Sequence, residues 1–439
     1  MTNPREDTGA FGAELRRRRV AADISLGALA RKTHYTKGYL SRVETGKQRP
    51  SEYLARRCDA LLGADGALSA LVAPAETAAT ADEPVVETVE DLWLLGMGAD
   101  GESAFRAVGR REVLAFGAAS LAGLRLGGGS SVAGHGAPAG RHMGRAVHEF
   151  RVLFDHTRRV GQSTSPSLVL PLAVAQAHAL RALMPEAGGA DRTRLGVLAA
   201  RNAEYAGWMA QESGDDRAAL WWTRKAVDLA AEVGDDGLAA YALVRHALVT
   251  MYQGDARSTV DLARRAQEQR GLPPRVLGLA AQREGQGHAL AGDRDRCMRA
   301  LDRARELLRQ ASDDPGDGPV LGTSTIAEPV GVVSGWCLYD LGRPEEAAAV
   351  LDVEVARIPR DALRARARFG VRQALAHAAA GEVEHACELT TDLLDVVGAV
   401  DSHTVAADLR TLAGTLRRWH THRMVRDLDP ALNDLLRRA

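Results

Sequence analysis

The side chains best placed by type and spacing to do chemistry are cations on one short stretch. In T-K-G-Y-L-S-R-V-E-T-G, Thr36 to Gly46, the apolar positions Tyr39, Leu40 and Val43 recur at helical spacing. They make an inner face, which leaves Lys37, Gly38, Ser41 and Arg42 on the outer one. Lysine and arginine donors on an exposed helix can bond guanine edges in a DNA major groove, and a serine hydroxyl can serve several bases. Lys47 and Arg49 follow in G-K-Q-R-P, and Arg16 and Arg18 lie upstream in R-R-R-R. Cations flanking a reading helix suit phosphates, where they position rather than specify. Alone, R-R-R-R would be only a solvated charge run.

The elements needed to hold this stretch are readable around it. Ser25 is a good N-cap for a preceding helix whose apolar face is Leu26, Leu29 and Ala30. His34 and Tyr35 form a turn, Thr36 caps the second helix, and Gly46 ends it with a residue free to take positive φ. Two short helices joined by a 3–4-residue turn form a helix-turn-helix, with Leu29, Ala30, Leu40 and Val43 packing the pair. A first helix is expected from about Gly9 to Ala22 and a fourth from Ser51 to Leu62. After a break at Gly63–Gly66, a short fifth ends near Leu71. Residues 1–8 read as disordered.

The phrases L-x-x-x-R-x-x-A (Leu15–Ala22), I-S-x-x-x-L-A (Ile24–Ala30), T-K-x-Y-L-S-R-V-E-x-G (Thr36–Gly46) and R-P-S (Arg49–Ser51) resemble the lambda-repressor-like, Xre-type helix-turn-helix domain over about Phe11–Leu71. The resemblance implies a compact bundle of four or five helices that binds double-stranded DNA, usually as a dimer on a palindromic operator. Its DNA-facing positions fall on Arg16, Arg18, Ser25, Leu26, Thr36, Lys37, Gly38, Tyr39, Ser41, Arg42, Lys47 and Arg49. Two of these depart from the family pattern. Leu26 stands where a glutamine commonly reaches the DNA, and Gly38 removes a base-reading side chain. Direct readout then rests mainly on Lys37 and Arg42.

At 439 residues the chain suggests two or three domains. Ala, Leu and Arg dominate, which favours helix. The apolar runs are short and interrupted, so no membrane span is expected, and the polar N-terminus is no secretory signal. Cys58, Cys297, Cys337 and Cys387 share no paired spacing and read as buried free thiols in a reducing cytoplasm. The net charge of −1 hides an asymmetry. Residues 1–72 hold 13 Lys/Arg against 8 Asp/Glu, a balance of +5, and residues 73–105 hold 8 acidic residues and no basic one. A basic head on a near-neutral body fits a DNA-binding module attached to something else.

Residues 73–140 read as a linker with short helices. Ala73–Val89 is acidic and Pro-rich, Asp91–Leu95 begins a short apolar helix, and Gly127–Gly140 is glycine-rich. Arg110–Leu124 has the look of a twin-arginine export signal, but such signals are N-terminal, so a docking helix is the reading. The glycine-rich run lacks G-x-x-x-x-G-K-[S/T] and is no phosphate loop.

From Arg141 to the end, helices alternate with short turns. Gly214-Asp215, Gly254-Asp255, Gly292-Asp293, Gly342-Arg343-Pro344 and Gly381-Glu382 punctuate them at intervals of 40, 38, 50 and 39 residues. One helix pair per ~40 residues is the mark of an α-solenoid. Trp208–Ala230, Gly287–Ala304 and Tyr339–Leu351 resemble degenerate tetratricopeptide repeats, a resemblance that covers roughly 190–400 and implies a concave groove for a peptide, protein or small molecule. Helices at Ser402–Arg423 and Asp429–Arg438 would cap it. The expected architecture is therefore all-α: residues 1–72 a helix-turn-helix bundle, 141–439 a tetratricopeptide-like solenoid.

No catalytic constellation is present: no G-x-S-x-G, H-E-x-x-H or paired-cysteine zinc pattern. No enzyme activity, cofactor or metal is expected, and His420-x-His422 reads as part of a basic surface cap. Groove candidates are Tyr205, Trp208, Arg245, His246, Tyr252, Arg283, Gln286, Trp336, Tyr339, Arg372 and Gln373. Peptide grooves often clamp the backbone with asparagine, which donates and accepts at once. Asn3, Asn202 and Asn433 are the only asparagines, which lowers a peptide relative to a small molecule or protein. The composite reading is a cytoplasmic transcription regulator whose repeat domain dimerises and senses an effector. The alternative is an adaptor that recruits a partner protein to DNA.

Overall fold

The computed structural model describes residues 4–72, 92–97, 103–108, 139–313, 320–322, 325, 326 and 328–438. The head comprises α1 (Pro4–Ala21), α2 (Leu26–Thr33), α3 (Lys37–Glu44), α4 (Glu52–Leu62) and α5 (Ala67–Ala70). Its caps are the expected ones: the Ser25 hydroxyl accepts from Ala28 N–H, Thr36 from Tyr39 N–H and Ser51 from Leu54 N–H. Phe11, Leu15, Leu29, Leu40, Val43, Leu54 and Leu68 form its core. At Gly12, α1 passes so near the end of α3 that a Cβ would lie 2.4 Å from the Val43 carbonyl oxygen. The Arg19 guanidinium reinforces that crossing, donating to Glu44 at 2.6 and 3.1 Å and to the Ile24 carbonyl at 2.9 Å. Residues 4–8, read as disordered from sequence, belong to α1.

Strands β1 (Leu92–Met97) and β2 (Ser103–Val108) pair antiparallel, Leu92 opposite Val108 and Met97 opposite Ser103. This corrects the helix expected at Asp91–Leu95. A run of four apolar residues is too short for its period to separate helix from strand, and pairing with the next segment along the chain decides. The acidic stretch 73–89, the export-signal look-alike 110–124 and most of the glycine-rich run lie outside the described residues.

The remaining described elements are helices: α6 (Ala139–Val160), α7 (Pro166–Leu183), α8 (Gly189–Glu212), α9 (Asp216–Ala231), α10 (Gly237–Tyr252), α11 (Ala256–Gln267), α12 (Pro274–Leu290), α13 (Arg294–Asp313), α14 (Pro329–Asp340), α15 (Pro344–Ala356), α16 (Leu363–Ala380), α17 (Val383–Val400), α18 (His403–Leu416) and α19 (Arg423–Arg438). Consecutive helices pack as hairpins into an α-solenoid. All five punctuating glycines take positive φ, from 73° at Gly342 to 90° at Gly381. In the Gly-Asp turns the division of labour is plain. Glycine turns the chain out of one helix, and Asp215, Asp255 and Asp293 accept from backbone N–H groups opening the next, at 2.8, 2.9 and 3.0 Å. The final helix begins earlier than expected, at Arg423, and runs through Pro430.

The segment 166–186 is long and apolar enough to cross a membrane by length and composition, contrary to the expectation of no such span. Val169, Ala173, Ala177 and Leu180 on one side of it are buried. The buried Gln176 amide donates to the Thr157 hydroxyl at 2.6 Å.

The superhelix closes on itself. Arg364, at the start of α16, donates to the carbonyl oxygens of Gly161, Thr164 and Val400 and to Glu212 at the end of α8. Glu212 also accepts from Arg368, Ser402 and Thr404. The first helices of the repeat domain are thereby tied to the last.

Candidate reading face and repeat-domain cavity

On α3, Lys37, Gly38, Ser41 and Arg42 are exposed, and so are Arg16, Lys47 and Arg49. Gly38 leaves room beside the Arg42 guanidinium: a Cβ there would lie 3.8 Å from Nη1. Ser25 and Thr36 sit at the helix N-termini with their oxygens occupied as caps. Arg18 is half-buried and bonds Glu14 at 2.6 Å, and Glu14 also holds Arg17. Those two arginine hydrogen bonds bring the Glu14 carboxyl down to about 2. Leu26 and Tyr39 pack against the core rather than standing free. The Tyr39 ring stacks on Tyr35, centroids 5.0 Å apart.

The head docks on the repeat domain through α4 and the His34–Tyr35 turn. The largely buried Arg57 of α4 donates to the Gly342 carbonyl at 3.0 Å and to Glu345 at 2.9 Å. Arg418 donates to the Tyr35 hydroxyl at 2.9 Å and lies over the rings of Tyr35 and Tyr53. Tyr53 stacks on Tyr339. Glycine is required at Gly342, where a Cβ would lie 2.4 Å from the Arg56 carbonyl oxygen. The punctuating turns of the repeats are thus also the seat of the head.

Inside the solenoid, helices α6, α8, α10, α12, α14 and α16 surround a cavity of about 130 Å³. That is room for a cluster of waters or a small organic molecule. Of the groove candidates, Tyr205, Trp208, Arg245, Arg283 and Trp336 line it. Gln286 joins them by accepting a hydrogen bond from Arg283. Tyr252, Tyr339 and Arg372 instead border a neighbouring space shared with Tyr53 and Arg56 of the head, and Trp336 is a wall of both. Gln373 donates to Asp352 at 2.7 Å, away from the cavity. His246 faces outward and is exposed, so a charged residue adjacent to a pocket residue proves a poor guide: neighbours in a helix point some 100° apart.

Sequence reasoning missed Phe154, Arg158, Arg201, Tyr241, Arg364, Arg368 and Phe369. Phe154 and Arg158 come from α6, outside the stretch of repeat resemblance. The signal available for Arg201, Arg364 and Arg368 was arginine on largely apolar helices; Tyr241 and Phe369 carried none beyond that of any repeat aromatic. Six arginines line the cavity against one lining carboxylate, Glu204. Glu204 lies 3.7 Å from Arg245, Asp235 bonds Arg201 at 2.8 Å, and Glu212 serves Arg364 and Arg368. Burial would raise the Glu212 carboxyl, but Arg368, Arg364 and the two hydroxyls bring it down to about 2. Arg283 has no carboxylate within ion-pair distance among the described residues, and burial pulls its guanidinium down to about 10.

One set of metal-ligand type, Asp352, His377 and His385, occurs among the described residues. Both His377 nitrogens already face carboxylates, Glu382 at 2.5 Å and Asp352 at 2.8 Å, so the set satisfies itself. The four cysteines are buried and unpaired.

Fold and reading face together define an N-terminal helix-turn-helix domain of DNA-binding type joined to an α-solenoid of helical hairpins. Residues 10–72 match the helix-turn-helix domain family. No curated protein is similar in sequence. Among solved structures, a Rap protein complexed with competence and sporulation factor aligns over 68% of this chain and 100% of its own, at 12% identity and a TM-score of 0.40.

Proposed function

We propose that the protein is a sequence-specific transcription regulator, not an enzyme, that works in the cytoplasm as a homodimer and senses an effector in its repeat domain. The observation that carries this reading is the two-sidedness of the head. Its docking residues, Tyr35, Tyr53 and Arg57, are engaged by the repeats, while Lys37, Ser41 and Arg42 stay exposed on α3. A head docked with these side chains exposed can offer them to a major groove without undocking.

Two heads on successive grooves about 34 Å apart would read a palindrome. The dimer surface we assign is the outer side of α6 and α7, where Val152, Leu153, Leu168 and Leu172 are exposed. Isolated apolar residues on a surface are ordinary; we read these four, on two consecutive helices, as the surface a symmetric partner covers. The effector would act by shifting the balance between two arrangements of the heads. The test is gel filtration and footprinting of the full chain on DNA upstream of its own gene. A dimer protecting two half-sites about one turn apart supports the reading; a monomer with only salt-sensitive, sequence-independent binding overturns it.

A further inference from the structure

The cavity described above has a chemistry more specific than its shape. Its walls are aromatic and apolar, with Phe154, Trp208, Tyr241, Trp336 and Phe369 among them. Its polar groups are nearly all donors. Among buried polar atoms with no hydrogen-bond partner, those on lining residues are Arg201 Nε and Nη1, Arg245 Nε, Arg368 Nε, Tyr205 Oη and Gln282 Oε1. Four of the six are guanidinium donors, one is a hydroxyl, and one alone is a pure acceptor. Buried donors left unpaired cost free energy, so native folds supply them with water or a ligand. The charge count points the same way. Even with Glu204, Glu212 and Asp235 credited to their partners, the five arginines 201, 245, 283, 364 and 368 exceed three carboxylates by two. Arg283 carries the clearest excess, because its one hydrogen bond to another side chain among the described residues goes to the neutral Gln286.

We propose that this cavity binds a small organic anion, its carboxylate or phosphate among the arginines around Arg283 and its flat apolar body against Trp208 and Trp336. The inference rests on the reading that the repeat domain senses a ligand, and it names the ligand's class. A free peptide fits less well. A peptide backbone brings as many N–H donors as acceptors, and the one asparagine of this region, Asn202, spends its amide on the Leu198 carbonyl of its own helix. Guanidinium forks match planar carboxylates and phosphates in pairs of hydrogen bonds, and aromatic faces accept a flat hydrophobic body. Trp336, shared with the space beneath Tyr53, would feel the occupant directly.

The test uses the full chain and four probes: 1-naphthoate and naphthyl phosphate as anions, and 1-naphthamide and naphthyl methanol as neutral counterparts. Binding is read by tryptophan fluorescence and by the melting temperature. The expected result is quenching and a raised melting temperature with at least one anion, and at least tenfold weaker binding of its neutral counterpart. A preference for naphthoate or for naphthyl phosphate assigns the carboxylate or the phosphate. Arg283→Gln should weaken the anion at least tenfold, and Arg283→Lys should recover part of the loss. Arg299→Gln, a change to an exposed arginine outside the cavity, should leave binding intact. Equal binding of anion and neutral counterpart by the unaltered chain, or no anion binding at millimolar concentration, overturns the proposal even if Arg283→Gln fails to fold. Operator binding is measured in parallel. Anion binding that leaves operator affinity unchanged supports the site and removes the sensing role; intact operator binding without anion binding removes the site and leaves the DNA reading in place.

Discussion

Tyr53 of the helix-turn-helix head stacks on Tyr339 of the repeat domain, ring centroids 5.3 Å apart and planes 21° from parallel. Arg418 lies over Tyr53 on the same seam and bonds Tyr35 beyond it. Arg418→Ala removes one hydrogen bond and two cation–π contacts, a loss of roughly 1–2 kcal/mol. Hydrogen exchange should rise in α4 and in the His34–Tyr35 turn while the interior of α8 keeps its protection. Unchanged exchange in α4 would show that the seam does not hold the head.

Arg42 and Lys47 should separate by type of contact. Arg42→Ala is expected to cost ~1–3 kcal/mol on the specific site and little on random DNA. Lys47→Ala should weaken all sequences alike and reduce the salt slope by about one unit. Titrations at several salt concentrations check both. Equal losses on specific and random DNA for Arg42→Ala would remove it from base readout.

Docking should depend on pH through His34. Burial at the seam, with Arg57 and Arg418 close by, lowers its pKa below the usual 6.5, although Glu345 and the Ala380 carbonyl pull the other way. An undocked His34 therefore binds a proton more readily than a docked one. Docking is fully favoured above about 6.5 and weakens as pH falls through that value. Proteolytic sensitivity of the segment joining head and repeats should rise between pH 7 and pH 5.5, and His34→Gln should flatten the change.

Glu212 closes the superhelix, and its acid response runs in the same direction at lower pH. Its carboxyl is lowered from the ordinary 4.5 to about 2. The stability it contributes is present above about 4.5 and is lost as pH falls toward 2. Glu212→Gln leaves Arg364 and Arg368 buried beside an uncharged group, which should cost on the order of 3–5 kcal/mol. Chemical denaturation of the variant, followed by circular dichroism, measures it. A cost below 1 kcal/mol would mean that the arginines find other partners.

The proposed dimer surface on α6 and α7 can be tested without touching the core. Leu168, 66% exposed, and Leu172, 47% exposed, lie one turn apart on α7. Leu168→Asp with Leu172→Asp should convert the dimer to a monomer by sedimentation and lower operator affinity at least tenfold, with helical content unchanged. A double variant that remains dimeric moves the interface elsewhere.

The head was legible because its determinants are local. Ser25, Thr36 and Ser51 cap helices through bonds three residues away, and Gly214-Asp215 and its counterparts end and restart helices within a single turn. Such signals are written in adjacent residues, so period, cap and turn specify helix-turn-helix and solenoid together. Tyr205, Trp208 and Trp336 were legible as repeat aromatics for the same reason. His246 was misplaced because type and position in sequence say nothing about which side of a buried helix faces a cavity.

What only the tertiary structure decided are the relationships between distant segments. Arg364 meets Gly161 across 203 residues, Arg57 meets Glu345 across 288 and Arg418 meets Tyr35 across 383. A buried arginine needs acceptors that its own helix cannot supply, and the chain finds them only where the superhelix closes. The same closure gathers six arginines around one cavity and seats the head on the repeat turns. A small rotation per repeat, accumulated from α6 to α19, sets both, and that rotation depends on packing that no single stretch of sequence contains.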